Sequence, residues 1–262
     1  MRILLTNDDG ILAPGIEALY GAIRSLGEVT VVAPATTQSA ESHGITFHRP
    51  LMTREVKIPT IEGLAVEGTP ADCVKLALKS LWPAKHGAGS RPDLVISGMN
   101  FGANAGINVI YSGTVAAAIE AAFLGVPAIA VSLYIGDKAR VHLGRAAEIA
   151  REAIDRVLKH PLAPHRVINI NIPFTERADA PMPPIRVVSM NTAAAADGYE
   201  RRESPEPGAR AYYWPSGNGM EFVHTAEESD VEALAERAVT VTPLHFDLTD
   251  HAALAEWRRR LA

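Results

Sequence analysis

Two adjacent carboxylates, Asp8 and Asp9, close a short apolar run at the start of the chain, MRILLTNDDG. Neighbouring like charges repel, and at the end of a strand that cost calls for a compensating cation. Hard divalent ions such as Mg²⁺ and Mn²⁺ take oxygen ligands of this kind. Asn-Asp-Asp-Gly is equally good turn chemistry and accounts for the same residues without any ligand. A second polar cluster, SGMNFGANAG over 97–106, puts three glycines and two asparagines into ten residues. Such a loop approaches something closely. Asn100 can offer a carbonyl oxygen to a metal and Asn104 its amide hydrogens to an anion; a merely flexible loop is the alternative. A third cluster, Ser112-Gly113-Thr114, leads directly into VAAAIEAAF. Serine or threonine there is ordinary helix capping, but amides at a helix start also hold phosphate. Beside the asparagine loop, phosphate is the better reading.

The motifs that are missing narrow the chemistry. Neither the G-x-G-x-x-G dinucleotide fingerprint nor the P-loop ending in Gly-Lys-Ser/Thr follows the first strand. Acidic residues where glycines would cradle a pyrophosphate favour phosphate held through a metal. No G-x-S-x-G elbow is present, so serine-hydrolase chemistry has no support. His43 and His48, five apart, follow no zinc-ligand spacing and read as loop histidines, with substrate contact by His43 a lesser alternative. Ser39, in QSAESHG, reads on its own as a loop cap.

The elements that must carry these clusters alternate. Strands are expected over 2–6, 29–33, 64–67, 94–97, 128–133 and 167–171, several continuously apolar, as in sheets buried on both faces. Helices are expected over 15–26, 71–82, 115–124 and 139–160. This alternation predicts an α/β fold: a Rossmann-like, doubly wound, mostly parallel sheet with right-handed crossovers. Ligands bind such sheets beyond the carboxyl ends of the strands, where three polar stretches fall: 7–10 after the first strand, 34–39 after the second and 97–114 after the strand over 94–97. After about residue 173 proline becomes frequent, and strands over 185–190, 211–214 and 238–242 are joined by polar loops. The chain therefore divides into an α/β core, 1–172, and a β-rich C-terminal extension, 173–262, ending in a helix over 250–261. The terminal Arg258–Arg260 complements that helix's dipole.

Of the 262 residues, 47 % are hydrophobic and only 6 % aromatic, so Ala, Val, Ile and Leu must build the core. The net charge of −5 argues against a nucleic-acid polymer as partner. The single cysteine, Cys73, allows no internal disulfide and fits a reducing compartment. The N-terminal apolar run is too short for a signal-peptide core. The near-uncharged stretch 111–136 contains Glu120 and a Gly-Val-Pro break, so it reads as helix, turn and strand rather than as a membrane span. A cytoplasmic protein without membrane contact is expected.

The motifs RILLTNDDGILAPGI (2–16), VVAPATTQSAESHGIT (31–46), EGTPADCV (67–74), PDLVISGMNFGANAGINVIYSGTVAAAIEA (92–121), NINIP (169–173) and VTVTPLHFDLT (239–249) resemble the SurE (survival protein E) family of metal-dependent 5′-nucleotidases and phosphatases, nearly end to end. The resemblance implies a Rossmann-like core with a C-terminal β-hairpin extension used in oligomerisation, forming homodimers or tetramers. It implies one divalent cation per subunit, Mg²⁺ or Mn²⁺, on Asp8, Asp9, Ser39 and Asn100, and phosphate contacts from Asn104, Ser112, Gly113 and Thr114. Asp8 and Asp9 would be the catalytic pair. The implied reaction is hydrolysis of nucleoside 5′-monophosphates, with 3′-nucleotides and short polyphosphate as further substrates, by metal-activated water. Direct attack by Asp8 or Asp9 is the alternative within that chemistry. A non-catalytic nucleotide-binding module of the same fold is the alternative outside it. The stretch 193–219 matches only loosely around YYW, and the loop 41–48 differs among family members.

Overall fold

The computed structural model describes residues 1–206, 208, 210–217 and 219–262. Pro207, Ala209 and Asn218, in the stretch read as a hairpin, lie outside them. The regular elements run β1 (Arg2–Thr6), α1 (Pro14–Ile23), β2 (Glu28–Pro34), β3 (Thr53–Lys57), β4 (Glu62–Val66), α2 (Pro70–Leu76), α3 (Trp82–His86), β5 (Leu94–Phe101), α4 (Gly113–Phe123), β6 (Ala128–Leu133), α5 (Leu143–Leu158) and β7 (Val167–Ile172), followed by β8 (Ile185–Val187), β9 (Gly198–Arg202), β10 (Tyr212–Ser216), α6 (Asp230–Ala235), β11 (Val239–Leu244) and α7 (His251–Arg260).

Nine strands form one sheet in the order β3-β4-β2-β1-β5-β6-β7-β11-β8. The six from β4 to β7 are parallel. β3 is antiparallel to β4, and β11 is antiparallel to β7. The apolar runs occupy the middle, as strands covered on both faces must. Ile3 and Leu5 face the layer of α1 and α5, while Leu4 faces that of α2 and α4. Ala117, Ala118, Ala121 and Ala122 are fully buried, and such small side chains bring α4 close to the sheet. The α/β expectation holds, and no helix among the described residues is long and apolar enough to cross a membrane.

The chain leaves β1 for β2 in one direction and later fills the other side of β1 with β5. That makes the gap between β1 and β5 the topological switch point, where doubly wound sheets bind ligands.

Four local expectations are corrected. β3 carries Arg54, Glu55 and Lys57 and lies at the sheet's edge, where charge is tolerated and hydrophobic periodicity gives no signal. The helix expected over 71–82 ends as α2 at Leu76; a wider turn, Ala77–Leu81, leads into α3, whose first turn holds Pro83, a residue that cannot continue the previous helix's hydrogen bonds. The helix expected over 139–160 starts at Leu143. Finally, the crossovers are not all of one hand. β5–α4–β6 and β6–α5–β7 step in the same direction, yet α4 and α5 lie on opposite faces. The stripe of Ala146, Ala150 and Ala153 with Ile149 and Ile154 packs α5 into the layer of α1 instead.

The extension does two separate things. β8 and β11 prolong the main sheet, with Val239 and Thr240 fully buried. β9 and β10 form a ribbon of their own, exposing Tyr199, Tyr213 and Trp214. α7 ends the chain with no buried residue.

Candidate active site

β1 and β5 are hydrogen-bonded neighbours, with Thr6 opposite Ser97, so the residues after each strand meet at the same edge. After β1, buried Asn7 closes a turn, its amide donating to Gly10 O at 2.9 Å and its carbonyl accepting Gly10 N–H at 3.2 Å. These bonds make NDDG a turn, and the turn aims Asp8 and Asp9 into a cavity of about 580 Å³. In β5 a register shift between Gly98 and Asn100 against β6 re-aims Asn100. The Phe101 N–H donates to Asp9 Oδ2 at 2.9 Å, tying the two strand ends together.

Ser39 arrives from β2. Gln38 N–H donates to Asp8 O at 2.8 Å and the Thr37 hydroxyl to Asp9 O at 3.1 Å.

 
The same segment is held from behind. Asp72 accepts from Thr46 N–H at 3.0 Å and the Thr46 hydroxyl at 2.6 Å, and its capping box with Thr69 starts α2. Ser39, Asp8, Asp9, Asn100, Asn104 and Ser112 all line the one cavity.

Asp8 is only 6 % exposed. Burial, with Asp9 beside it, pushes its carboxyl up to about 6 despite the hydrogen bonds from Thr114. Burial raises Asp9 as well. No ion pair reaches either aspartate among the described residues, so beyond the hydrogen bonds from Thr114 and Phe101 no cationic side chain there offsets their charge. The amide nitrogen of Asn100 donates to Gly102 O at 2.7 Å, which leaves its carbonyl oxygen as the group to offer. Two carboxylates, an amide oxygen and the Ser39 hydroxyl are hard oxygen donors, and a divalent cation of the Mg²⁺ or Mn²⁺ type fits them. No cluster of three or more His, Cys, Asp or Glu that could hold a metal forms among the described residues, so such an ion depends on the neutral oxygens too.

The expected phosphate contacts divide into two pairs. Asn104 and Ser112 line the cavity, whereas Gly113 and Thr114 do not. Ser112 caps α4, accepting Val115 N–H at 3.1 Å. Gly113 sits against Asp8: a Cβ there would stand 2.9 Å from the Asp8 Cβ. Thr114 is fully buried and its hydroxyl donates to Asp8 Oδ1 at 2.5 Å. His43 does not line the cavity either; it pairs with Glu120 of α4 at 2.8 Å.

Other residues support the site without having been expected there. Asn104 donates its backbone N–H to Asn171 Oδ1 at 2.8 Å and its side-chain amide to the Ser132 hydroxyl at 2.8 Å. Its carbonyl accepts from the side chains of Asn169 and Asn171. These three partners are fully buried. The signal of the two asparagines in the sequence is the alternation NINI, two amides on one face of an otherwise apolar strand. Phe101, Tyr111, Tyr134 and Met220 add less polar walls to the cavity, the last from the C-terminal extension.

The chain has relatives among known proteins over nearly its whole length. Residues 3–197 match the family model described as survival protein SurE. A protein named 5′-nucleotidase SurE from Carboxydothermus hydrogenoformans is 43 % identical over 260 residues, covering 98 % of this chain and 94 % of that protein. Another of the same name from Rhodopirellula baltica is 46 % identical over 259 residues, covering 98 % of each. The crystal structure of the Sure protein from Aquifex aeolicus superposes with a TM-score of 0.82 at 32 % identity, covering all of both chains. A family match over most of the chain, together with relatives this similar from end to end, means that the chain belongs to the SurE family.

Proposed function

We propose that this chain is a divalent-metal-dependent phosphomonoesterase that hydrolyses nucleoside 5′-monophosphates to nucleoside and phosphate. The observation that carries the reading is the meeting of Asp8, Asp9, Ser39 and Asn100 with the capped start of α4 in one cavity at the switch point. The relatives named 5′-nucleotidase supply the substrate class. Asp8, Asp9, Ser39 and Asn100 would hold the cation. When bound, such an ion neutralises phosphoryl charge and lowers the pKa of water, making a nucleophile available near neutral pH.

The chain's own residues do the rest. Asn104 and Ser112 present polar groups to the phosphoryl oxygens from the cavity wall, and the amino end of α4 adds its favourable dipole for an anion. Gly113 lets that helix start come up against Asp8. Thr114 completes the phosphate cradle through Asp8, fixing the carboxylate's orientation. The enclosing walls hold the ester in line for displacement.

Assembly into homodimers or tetramers through C-terminal elements, and a cytoplasmic location, belong to the same proposal. The exposed aromatic ribbon β9–β10 and the uncovered α7, with Trp257 and Leu261 exposed, support the first; the single buried, unpaired cysteine supports the second. The test of the activity is phosphate release from p-nitrophenyl phosphate and a panel of 5′- and 3′-nucleotides, with Mn²⁺ or Mg²⁺ and with EDTA. Metal-dependent release, greatest for 5′-nucleotides, is expected; nucleotide binding without release would make the chain a binding module.

A further inference from the structure

Asp230 opens α6 and is fully buried, yet no cation pairs with it among the described residues. Its two carboxylate oxygens serve two different segments. Oδ2 accepts the backbone N–H of Gly106 at 2.9 Å, and Oδ1 accepts that of Asn191 at 2.9 Å. Gly106 stands two residues beyond Asn104 in the site loop. Asn191 belongs to the extension, where its side chain donates to His224 O at 3.1 Å and accepts from Ala226 N–H at 3.2 Å.

The junction is packed as well as hydrogen-bonded. Ala105, Val231 and Leu234 form a small buried cluster, with Ala103, Tyr134, Met220 and Phe222 against it. Gly106 has φ +60°, and a Cβ there would lie 2.9 Å from the Phe222 ring, so only glycine lets that ring seat on the loop. Together with the Asn108 side-chain amide, which donates to Gly219 O, this junction places Gly219 and Met220, far along the chain, in the cavity wall beside Tyr111 and Tyr134. Burial raises the Asp230 carboxyl above its ordinary range. An apolar contact would join the same segments without burying an ionisable group, so this carboxylate's distinctive contribution is orientation. Aromatic rings and a thioether suit stacking on a heterocycle better than they suit a phosphate.

The geometry points to Asp230 as a positioning residue for nucleoside binding: it fixes the Met220 segment of the C-terminal extension against the site loop, so that the extension forms the wall receiving base and sugar. This inference rests on the nucleotidase reading of the same cavity. Its test is Asp230→Asn, which keeps the size and replaces one acceptor with a donor. We would compare kcat and KM with Mn²⁺ for AMP and for glycerol phosphate, whose leaving group has no ring, alongside thermal melting and hydrogen exchange of 102–108 and 219–224.

The expected result is a fall of about tenfold in the ratio of kcat/KM for AMP to that for glycerol phosphate, carried by KM, the worth of one charge-assisted hydrogen bond. Exchange in both segments should quicken. Met220→Ala should lower the same ratio with Asp230 intact. An equal loss on both esters, or an unmoved ratio, overturns the inference. Should Asp230→Asn fail to fold, Met220→Ala and Phe222→Ala carry the comparison, and an unmoved ratio in both overturns it. If the unmodified protein releases phosphate from neither ester, the nucleotidase reading fails separately, and unchanged exchange in Asp230→Asn then overturns the positioning role.

Discussion

The Thr114 hydroxyl donates to Asp8 Oδ1 at 2.5 Å, and both residues are buried. This contact ties the first turn of α4 to the end of β1 across 106 positions of sequence. It also opposes the burial that raises the Asp8 carboxyl. Thr114 therefore acts on the chemistry through Asp8. Thr114→Ala should lower kcat/KM roughly ten- to hundredfold, the worth of a hydrogen bond to a charged group, and should weaken Mn²⁺ binding in calorimetry. Thr114→Ser keeps the donor and should recover most of both. Loss of activity with unaltered Mn²⁺ affinity would instead place Thr114 on the phosphate.

Asp8→Asn separates catalysis from folding. Turnover should fall by several orders of magnitude while the protein stays folded, and near-normal turnover would defeat the assignment of Asp8. Stability should move the other way. The folded Asp8 pKa of about 6 lies above its ordinary 3.8. A carboxyl raised in this way contributes stability that is fully present below about pH 4 and is lost as pH rises through 6. In the metal-free protein that loss is on the order of 2–3 kcal/mol by pH 7. Metal-free Asp8→Asn should thus melt above the metal-free parent at pH 7 and converge with it near pH 4. A parent whose melting temperature shows no excess dependence on pH between 4 and 7 would contradict the burial argument.

The buried amides behind the loop are testable in the same manner. Asn171 gives and receives a hydrogen bond with the backbone of Asn104. Asn171→Ala strands the Asn104 N–H in a closed space, at a cost of roughly 1–3 kcal/mol. Urea denaturation should register that loss, and kcat should fall with it because Asn104 moves. A variant with full stability and full activity would show that the loop is held by other contacts.

Much of this site was legible because its parts are local. Asp8-Asp9, the Asn100 loop and Ser112-Gly113-Thr114 each follow a strand or precede a helix, and a doubly wound sheet gathers such positions at one edge. What was not legible depends on partners distant in the chain. Thr114 reads as a cap or a phosphate donor until Asp8 is seen against it. Asn169 and Asn171 read as ordinary strand residues until Ser132 and Asn104 complete their network. Met220 carries no pattern at all; the Asn108–Gly219 hydrogen bond and the packing of Phe222 on Gly106 bring its segment to the cavity. In the fold, β3 was hidden by its charges, and the opposed hands of the α4 and α5 crossovers follow from which layer each helix packs into, a choice that apolar spacing does not encode.

Cys73 is fully buried in α2 among the residues packed on the sheet. Burial pushes its thiol far above the ordinary range, and the neighbouring Asp72 adds to the effect. The thiolate is the reactive form, so Cys73 should resist iodoacetamide and Ellman's reagent in the native protein and react fully once denatured. Rapid labelling under native conditions would mean that α2 opens readily.

His43 offers the last discrimination. It bonds Glu120 at 2.8 Å, while Lys75 approaches the other oxygen of the same buried carboxylate at 3.5 Å. Glu120 lies in the body of α4, away from the capped end that faces the cavity. The contact therefore pins the loop that follows Ser39 to α4, and the Ser42 hydroxyl adds a 2.7 Å bond to Ile110 O. His43→Ala removes one partner from a buried acid and should cost roughly 1–2 kcal/mol of stability. Turnover should drop only a few-fold, because the loop still keeps its bonds through Ser42, Thr46 and Gln38. A fall of a thousandfold or more in kcat with an unchanged melting temperature would reverse this conclusion: His43 would then reach the substrate or its leaving group in the bound state, and the Glu120 contact would be the resting position of a catalytic side chain.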